Sequence, residues 1–179
     1  DSSTSRGLGD VYKRQLRKEG VEGRFIIVGA PDTENHAAIP NEQLEAWSVE
    51  GAVECWGHRT DMAEILSAST LFCLPSYYGE GVPKVLLEAA ASGRPIITTD
   101  MPGCREVVED GINGFLVKPR DTAGLTHAIK SLLTDPARRA LMGQASRKKA
   151  EEFFGIEAVT TQTIAIYHLS LIHISEPTR

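Results

Sequence analysis

Leu71-Phe72-Cys73-Leu74-Pro75-Ser76-Tyr77-Tyr78-Gly79-Glu80-Gly81-Val82-Pro83-Lys84-Val85-Leu86-Leu87-Glu88-Ala89-Ala90 places a strand, a glycine loop and a helix in immediate succession. The apolar run at 71–74 stops at Pro75 and reads as a short buried strand. Gly79 and Gly81 let the loop fold tightly and let its backbone approach a ligand. Pro83 suits the first position of a helix, where its missing N–H costs nothing. The first N–H groups of that helix have no helical partners, and the macrodipole adds partial positive charge. A phosphate fits such a place without a metal ion. Glu88 follows about five residues into the helix, beside Val85, Leu86, Ala89 and Ala90. A carboxylate there can accept bonds from a pair of vicinal hydroxyls, as on a ribose. The plainer alternative is a solvated Glu on an amphipathic helix.

Outward from this stretch, strand and helix patterns alternate. Short apolar runs predict strands at 25–28, 53–56, 71–74, 95–98 and 114–117. Helices are predicted at 41–49, 61–67, from Pro83 to a C-cap at Gly93, and at 103–109, 121–133, 136–149 and 156–167. This alternation predicts one α/β domain with an open, doubly wound parallel sheet. Ligands in such sheets bind beyond the carboxyl ends of the strands, where the loop at 75–82 lies. No G-x-G-x-x-G follows the first strand, which disfavours a dinucleotide oxidoreductase.

The two ends read differently. Residues 5–15 and 169–179 are antisense to one another: a Gln codon reverse-complements to Leu, Arg to Ser, Lys to Leu and Tyr to Ile, and so on through the pair. Both resemble translated sequencing-library adaptor. The expected division is therefore 1–15 as artefact, 16–168 as the one folded domain, and 169–179 as artefact. The whole chain carries a formal net charge of −5. Setting aside Arg6, Lys13, Arg14 and Arg179 with Asp1, Asp10 and Glu176 leaves 15 basic and 21 acidic residues, a net −6. No basic stripe with interleaved aromatics occurs, so nucleic acid is not an expected partner. Cys55, Cys73 and Cys104 lack metal-ligand spacing; Cys55 and Cys73, in apolar runs, are expected as buried reduced thiols.

The segment 75–83, with Leu87-Glu88-Ala89, Gly93-Arg94-Pro95, Gly103-Cys104-Arg105-Glu106 and Asp110-Gly111-Ile112-Asn113-Gly114-Phe115-Leu116-Val117, resembles family 4 retaining glycosyltransferases. The similarity runs more weakly to about Tyr167. In that family two acids form an E-x7-E motif, which Glu80 and Glu88 match. The resemblance implies the C-terminal, Rossmann-like half of a two-domain GT-B fold, with 16–168 as a nucleotide-sugar donor-binding domain truncated at its start. It implies that Glu80, the catalytic candidate, contacts hydroxyls of the donor sugar and that Glu88 holds the ribose. It also implies that the Gly81–Val82–Pro83 turn, with Gly79, supports the diphosphate. The expected donor is a nucleotide-diphosphate sugar, of the UDP kind, handled with no cofactor and no metal. The expected acceptor is a glycan or a polyprenyl-diphosphate-linked sugar, in bacterial surface polysaccharide or glycoconjugate assembly. The segment 35–62, with Trp47 and Trp56-Gly57-His58-Arg59-Thr60-Asp61-Met62, is similar to a branch acting on lipid-diphosphate-linked sugars. The family's Arg and Lys near the start of this domain would lie before Leu16, and its acceptor domain has no match, so this chain is expected to lack turnover. A cytoplasmic location is implied, or a peripheral one at the inner face of the cytoplasmic membrane.

His58 and Arg59 follow a strand and so fall on the ligand side, where Arg59 can touch the diphosphate or base; an ordinary surface Arg is the competing reading. Loop His36 and helical His127 are expected to be solvated, Arg105-Glu106 to form a structural ion pair, and Asn113-Gly114 to make a turn. Three alternatives remain beside the transferase: a glycoside-hydrolase acid pair, a nucleotide-sugar epimerase of similar fold, and a non-catalytic nucleotide-binding module.

Overall fold

The computed structural model describes residues 23–30, 39–51, 53–77 and 81–174. The elements alternate: β1 (Ile26–Ile27), α1 (Asn41–Val49), β2 (Glu54–Cys55), α2 (Met62–Ala68), β3 (Phe72–Leu74), α3 (Lys84–Ala91), β4 (Ile96–Thr99), α4 (Pro102–Val107) and β5 (Gly114–Val117). Three helices close the described chain: α5 (Thr122–Thr134), α6 (Pro136–Phe154) and α7 (Ile156–Ile174).

β3, β4 and β5 form a parallel sheet in that order, with Leu74 opposite Thr98 and Thr98 opposite Leu116. The central strand β4 is buried along its whole length, and its alternating side chains define two cores. Ile96 packs with Leu66 of α2, with Leu86, Ala89 and Ala90 of α3, and with Cys104 and Val107 of α4. Ile97 faces the other way, onto Leu125, Ala128, Ile129 and Leu132 of α5 and Met142 of α6. Helices thus cover both faces of the sheet. That α3 and α4 share one face is the outcome of successive right-handed crossovers between neighbouring parallel strands. The expected doubly wound α/β architecture is present.

Among the described residues the parallel pairing falls into two sheets: β1 and β2 pair with each other, Ile26 opposite Glu54, beside the β3–β4–β5 sheet. Two residues per strand provide few ladder bonds. The link to the main sheet is packing instead, because Phe25 touches both the Ile97 core and the small cluster around Trp47 and Val53.

Several boundaries have visible causes. Asp121 caps α5 by accepting from Gly124 N at 2.8 Å, and Asp135 caps α6 by accepting from Arg138 N at 2.9 Å. α3 ends as predicted: Gly93 takes φ +65°, its N–H bonds Ala90 O at 2.9 Å, and Arg94 N bonds Ala89 O at 3.0 Å. That pair of bonds is a Schellman motif, which needs a left-handed residue. At its other end Pro83 is extended (φ −65°, ψ 122°) and occupies the cap itself, one position earlier than expected. The Asn113 turn is also structural. Its side chain is buried, accepts from Glu109 N at 2.7 Å and donates to Val107 O at 2.9 Å.

Candidate functional site

The carboxyl ends of β3, β4 and β5 lie side by side, and each feeds a connection that carries polar groups. The connection after β3 is tied down by its neighbour. Thr98 Oγ1 donates to Leu74 O at 2.8 Å, and Thr99 Oγ1 donates to Ser76 O. Both threonines are buried, so these bonds satisfy hydroxyls that would otherwise cost free energy in the core. Glu80 and Gly79 lie outside the described residues.

Gly81 lies three residues before the first residue of α3. Its cap makes no side-chain hydrogen bond, and no acidic residue sits in its first turn. Leu86 N–H bonds Pro83 O at 3.0 Å, whereas the N–H groups of Lys84 and Val85 make no bond among the described residues. The helix start therefore keeps two donors and the positive end of its dipole available at the carboxyl edge of the sheet. Gly81 and Val82 beside it are exposed. Glu88 is one turn further along, its side chain 35% exposed, with Oε1 3.3 Å from Lys84 Nζ. Lys84 is largely exposed, so this i,i+4 pair is weak and leaves the carboxylate approachable from solvent.

Arg59 is held elsewhere. Its Nε and Nη2 bond the two carboxylate oxygens of Asp61 at 2.8 and 2.5 Å, and its guanidinium stands 5.7 Å from the Trp56 ring centroid. The guanidinium depresses the Asp61 pKa, mainly through the hydrogen bond, and Asp61 in turn raises that of Arg59. Among the described residues no hydrogen bond or ion pair joins Arg59 to 81–88. His58 is exposed beside it, and His127 is exposed on α5, as expected. His36 lies outside the described residues.

Three local expectations fail. Arg105 pairs not with Glu106 but with Asp100, Nε to Oδ1 at 2.5 Å, because Asp100 precedes the helix start and faces back along α4. Cys55 is exposed, since β2 pairs on one side only and its thiol reaches out to Leu44 O at 3.7 Å. Cys73 is half-buried rather than buried, and desolvation pushes its thiol up to about 12, in line with an inert sulfur. Among the described residues no group of three His, Cys, Asp or Glu is placed to hold a metal, and no helix is long and apolar enough to cross a membrane.

A contact at this edge escaped sequence reasoning. Asp121 N–H bonds Lys118 O at 3.1 Å, closing a turn with Pro119 second and Arg120 third. Arg120 has φ +64°, and among the described residues it is the one non-glycine with positive φ. Its guanidinium stands over the Tyr77 ring, 5.1 Å from the centroid. The only advance signal is a Pro-Arg pair where this turn type wants Pro-Gly.

A groove of about 640 Å³ lies at the opposite edge, between α6 and the segments that enter β3 and β4. Its arginines are occupied. Arg94 Nη1 donates to Ser69 O at 2.7 Å and Nε to Ser92 O at 2.9 Å, while Arg139 Nη1 donates to Leu132 O and Leu133 O at 2.5 and 2.8 Å. They serve the orphan carbonyls of three helix C-termini.

Residues 8–135 match the family model described as Glycosyl transferases group 1. The chain belongs to that family. It is 37% identical over 147 residues to a glycogen synthase of Mycobacterium tuberculosis, covering 81% of this chain and 35% of that protein. It is 33% identical over 132 residues to a Campylobacter jejuni enzyme, N,N'-diacetylbacillosaminyl-diphospho-undecaprenol alpha-1,3-N-acetylgalactosaminyltransferase, covering 74% and 34%. Among solved structures, Anabaena HepE in complex with UDP and glucose superposes with TM-score 0.72 at 23% identity, covering 90% of this chain and 44% of that one. This group 1 chain thus spans about a third of the length of the curated relatives it matches. Its family is that of the group 1 glycosyl transferases, and it shares its fold with HepE.

Proposed function

We propose that this chain is the donor-binding half of a retaining glycosyltransferase that moves a hexosyl or N-acetylhexosaminyl group from a nucleotide-diphosphate sugar. The observation that carries this reading is the start of α3, where two unpaired N–H groups and an acid-free first turn face the carboxyl edge of the sheet. Preorganised amides of this kind stabilise the charge that grows on a departing diphosphate, and they do so without a metal. Glu88, one turn on and half-exposed, is in place to accept from the two ribose hydroxyls. Glu80 supplies the acid for the hydroxyls of the donor sugar. Gly81, Val82 and Pro83, with Gly79 before them in the chain, are assigned to the diphosphate. Arg59 belongs to the same site only if it exchanges Asp61 for the ligand, which makes it the weakest member.

UDP is the nucleotide favoured, because HepE is described in complex with UDP and the fold is shared. A glycan or a lipid-diphosphate-linked sugar is the favoured acceptor, in keeping with the undecaprenol-linked substrate in the name of the Campylobacter relative. A cytoplasmic setting, with contact to the inner membrane face, follows from an acceptor of that kind. For residues 16–168 by themselves the proposed activity is donor binding without turnover.

Calorimetric titration tests the site directly. With Glu88→Ala, affinity for UDP is expected to fall about 10-fold, the loss of one charge-assisted hydrogen-bonded group. Affinity for inorganic pyrophosphate should hold or rise. Equal UDP binding by both proteins would remove Glu88 from the ribose. Release of sugar to an acceptor by the chain alone, at the rate of a full-length relative, would overturn the donor-half reading.

A further inference from the structure

We infer that Arg120 is a positioning residue for the donor site, acting through the ring of Tyr77. The inference rests on the donor-site reading above and adds a residue to it. Three observations converge. First, Arg120 occupies the third place of the Lys118–Asp121 turn with φ +64°, a conformation that glycine or asparagine adopts freely and a long side chain resists. An outlier of this kind persists where its side chain gains something that offsets the steric cost. Second, the gain is visible. The guanidinium lies over Tyr77 at 5.1 Å, among the described residues it has no carboxylate partner, and this ring is its contact. Third, Tyr77 stands three residues before Glu80 in the chain, in the connection that Thr98 and Thr99 already fix at Leu74 and Ser76. Arg120 therefore ties the third strand's connection to this loop, one step beyond the last threonine bond.

Such a contact does something a core residue does not. The threonine hydroxyls of β4 hold Leu74 and Ser76, and the Arg120 guanidinium adds a contact at Tyr77, the last described residue before Gly81. A cation over a ring is a contact of modest strength, about 0.5–1 kcal/mol at an exposed site, enough to bias where Tyr77 sits. The strained backbone aims the side chain: with φ negative at this place the turn would present it in another direction.

Hydrogen–deuterium exchange on the full chain separates this from a structural role, using Arg120→Gly, Arg120→Lys, Tyr77→Leu and the Arg120→Gly/Tyr77→Leu double variant. Glycine relaxes the turn, so Arg120→Gly should melt no earlier than the parent. Amides of 76–82 should nevertheless exchange about 2- to 5-fold faster, the range expected for an exposed cation–π contact. Arg120→Lys should fall between, Tyr77→Leu should match Arg120→Gly, and the double variant should add nothing. Unchanged exchange in Arg120→Gly, or additive effects in the double variant, would overturn the positioning role. UDP-glucose added to the parent reads the donor site separately. Absence of protection at 81–88 would sink the donor site while leaving the Arg120–Tyr77 coupling measurable. With both intact, Arg120→Gly should weaken UDP-glucose about 2- to 5-fold and leave UDP unaffected, because the loop acid is assigned to the sugar.

Discussion

Gly114 has the least room for a side chain of the described glycines. A Cβ built there would stand 1.9 Å from Ile96 O, inside the ladder between β4 and β5. Its φ is not the constraint; the backbone of the neighbouring strand is. No rotamer change relieves a clash with a carbonyl in a sheet, so the strands themselves must separate. Gly114→Ala is expected to cost about 3 kcal/mol or more, measured as the shift in urea midpoint at constant slope. The Asn113-Gly114 pair read as a turn from sequence, and it is one. What sequence could not show is why glycine and not another turn former ends it, because the clash comes from Ile96, eighteen positions away in the chain. The same limit applies to Arg120, whose contact is with Tyr77 and whose local sequence suggests only a turn. It applies again to Cys55, which has the composition of a core position and the exposure of an edge. Gly93 is the contrasting case. Its role depends on the α3 bonds just before it, so local pattern was enough.

Among the elements, the helix ends on the edge away from the site are tied together by arginine. Arg94 bridges the last carbonyls of α2 and α3, donating to Ser69 O and Ser92 O. The Gly93-Arg94-Pro95 run is thus a joint: a left-handed turn, a two-way cap and the entry to β4. α6 closes over it so tightly that a Cβ at Gly143 would stand 2.4 Å from Gly93 O. Arg94→Ala should lower stability by about 1–3 kcal/mol, the range for hydrogen bonds to a charged donor, with the partial exposure of these bonds favouring the low end. Lysine should not restore it, since an ammonium cannot span two carbonyls with the geometry of a guanidinium fork. Thermal unfolding of both variants checks the pair. The joint also bears on the site. It fixes where α3 ends and hence, over eight residues, where its open start points.

At the scale of the whole molecule, the described chain divides by the depth of its cores. β3, β4 and β5 are clamped between two clusters, and α6 enters both, with Met142 in the Ile97 core and Ala150 in the Ile96 core. A helix shared by two cores makes them open together. The β1–α1–β2 part has only Trp47 and Val53 fully buried and is joined to the rest through Phe25. Native-state hydrogen exchange should therefore resolve two levels of protection, with Ile27, Cys55 and Trp56 amides opening well below the global free energy and Ile97 and Thr98 amides opening only with it. Trp47→Leu separates the two. It leaves a cavity in the smaller cluster and should lower the opening free energy of 41–56 by about 2–4 kcal/mol, while β4 protection moves by much less. Equal loss at β4 would show a single cooperative unit instead. The division matters for function because Arg59 and Trp56 follow β2 whereas Glu88 follows β3. The base side and the phosphate side of the proposed site then belong to parts of unequal stability. A ligand bridging them should raise protection most at 41–56, so that UDP binding is read out where the fold is weakest.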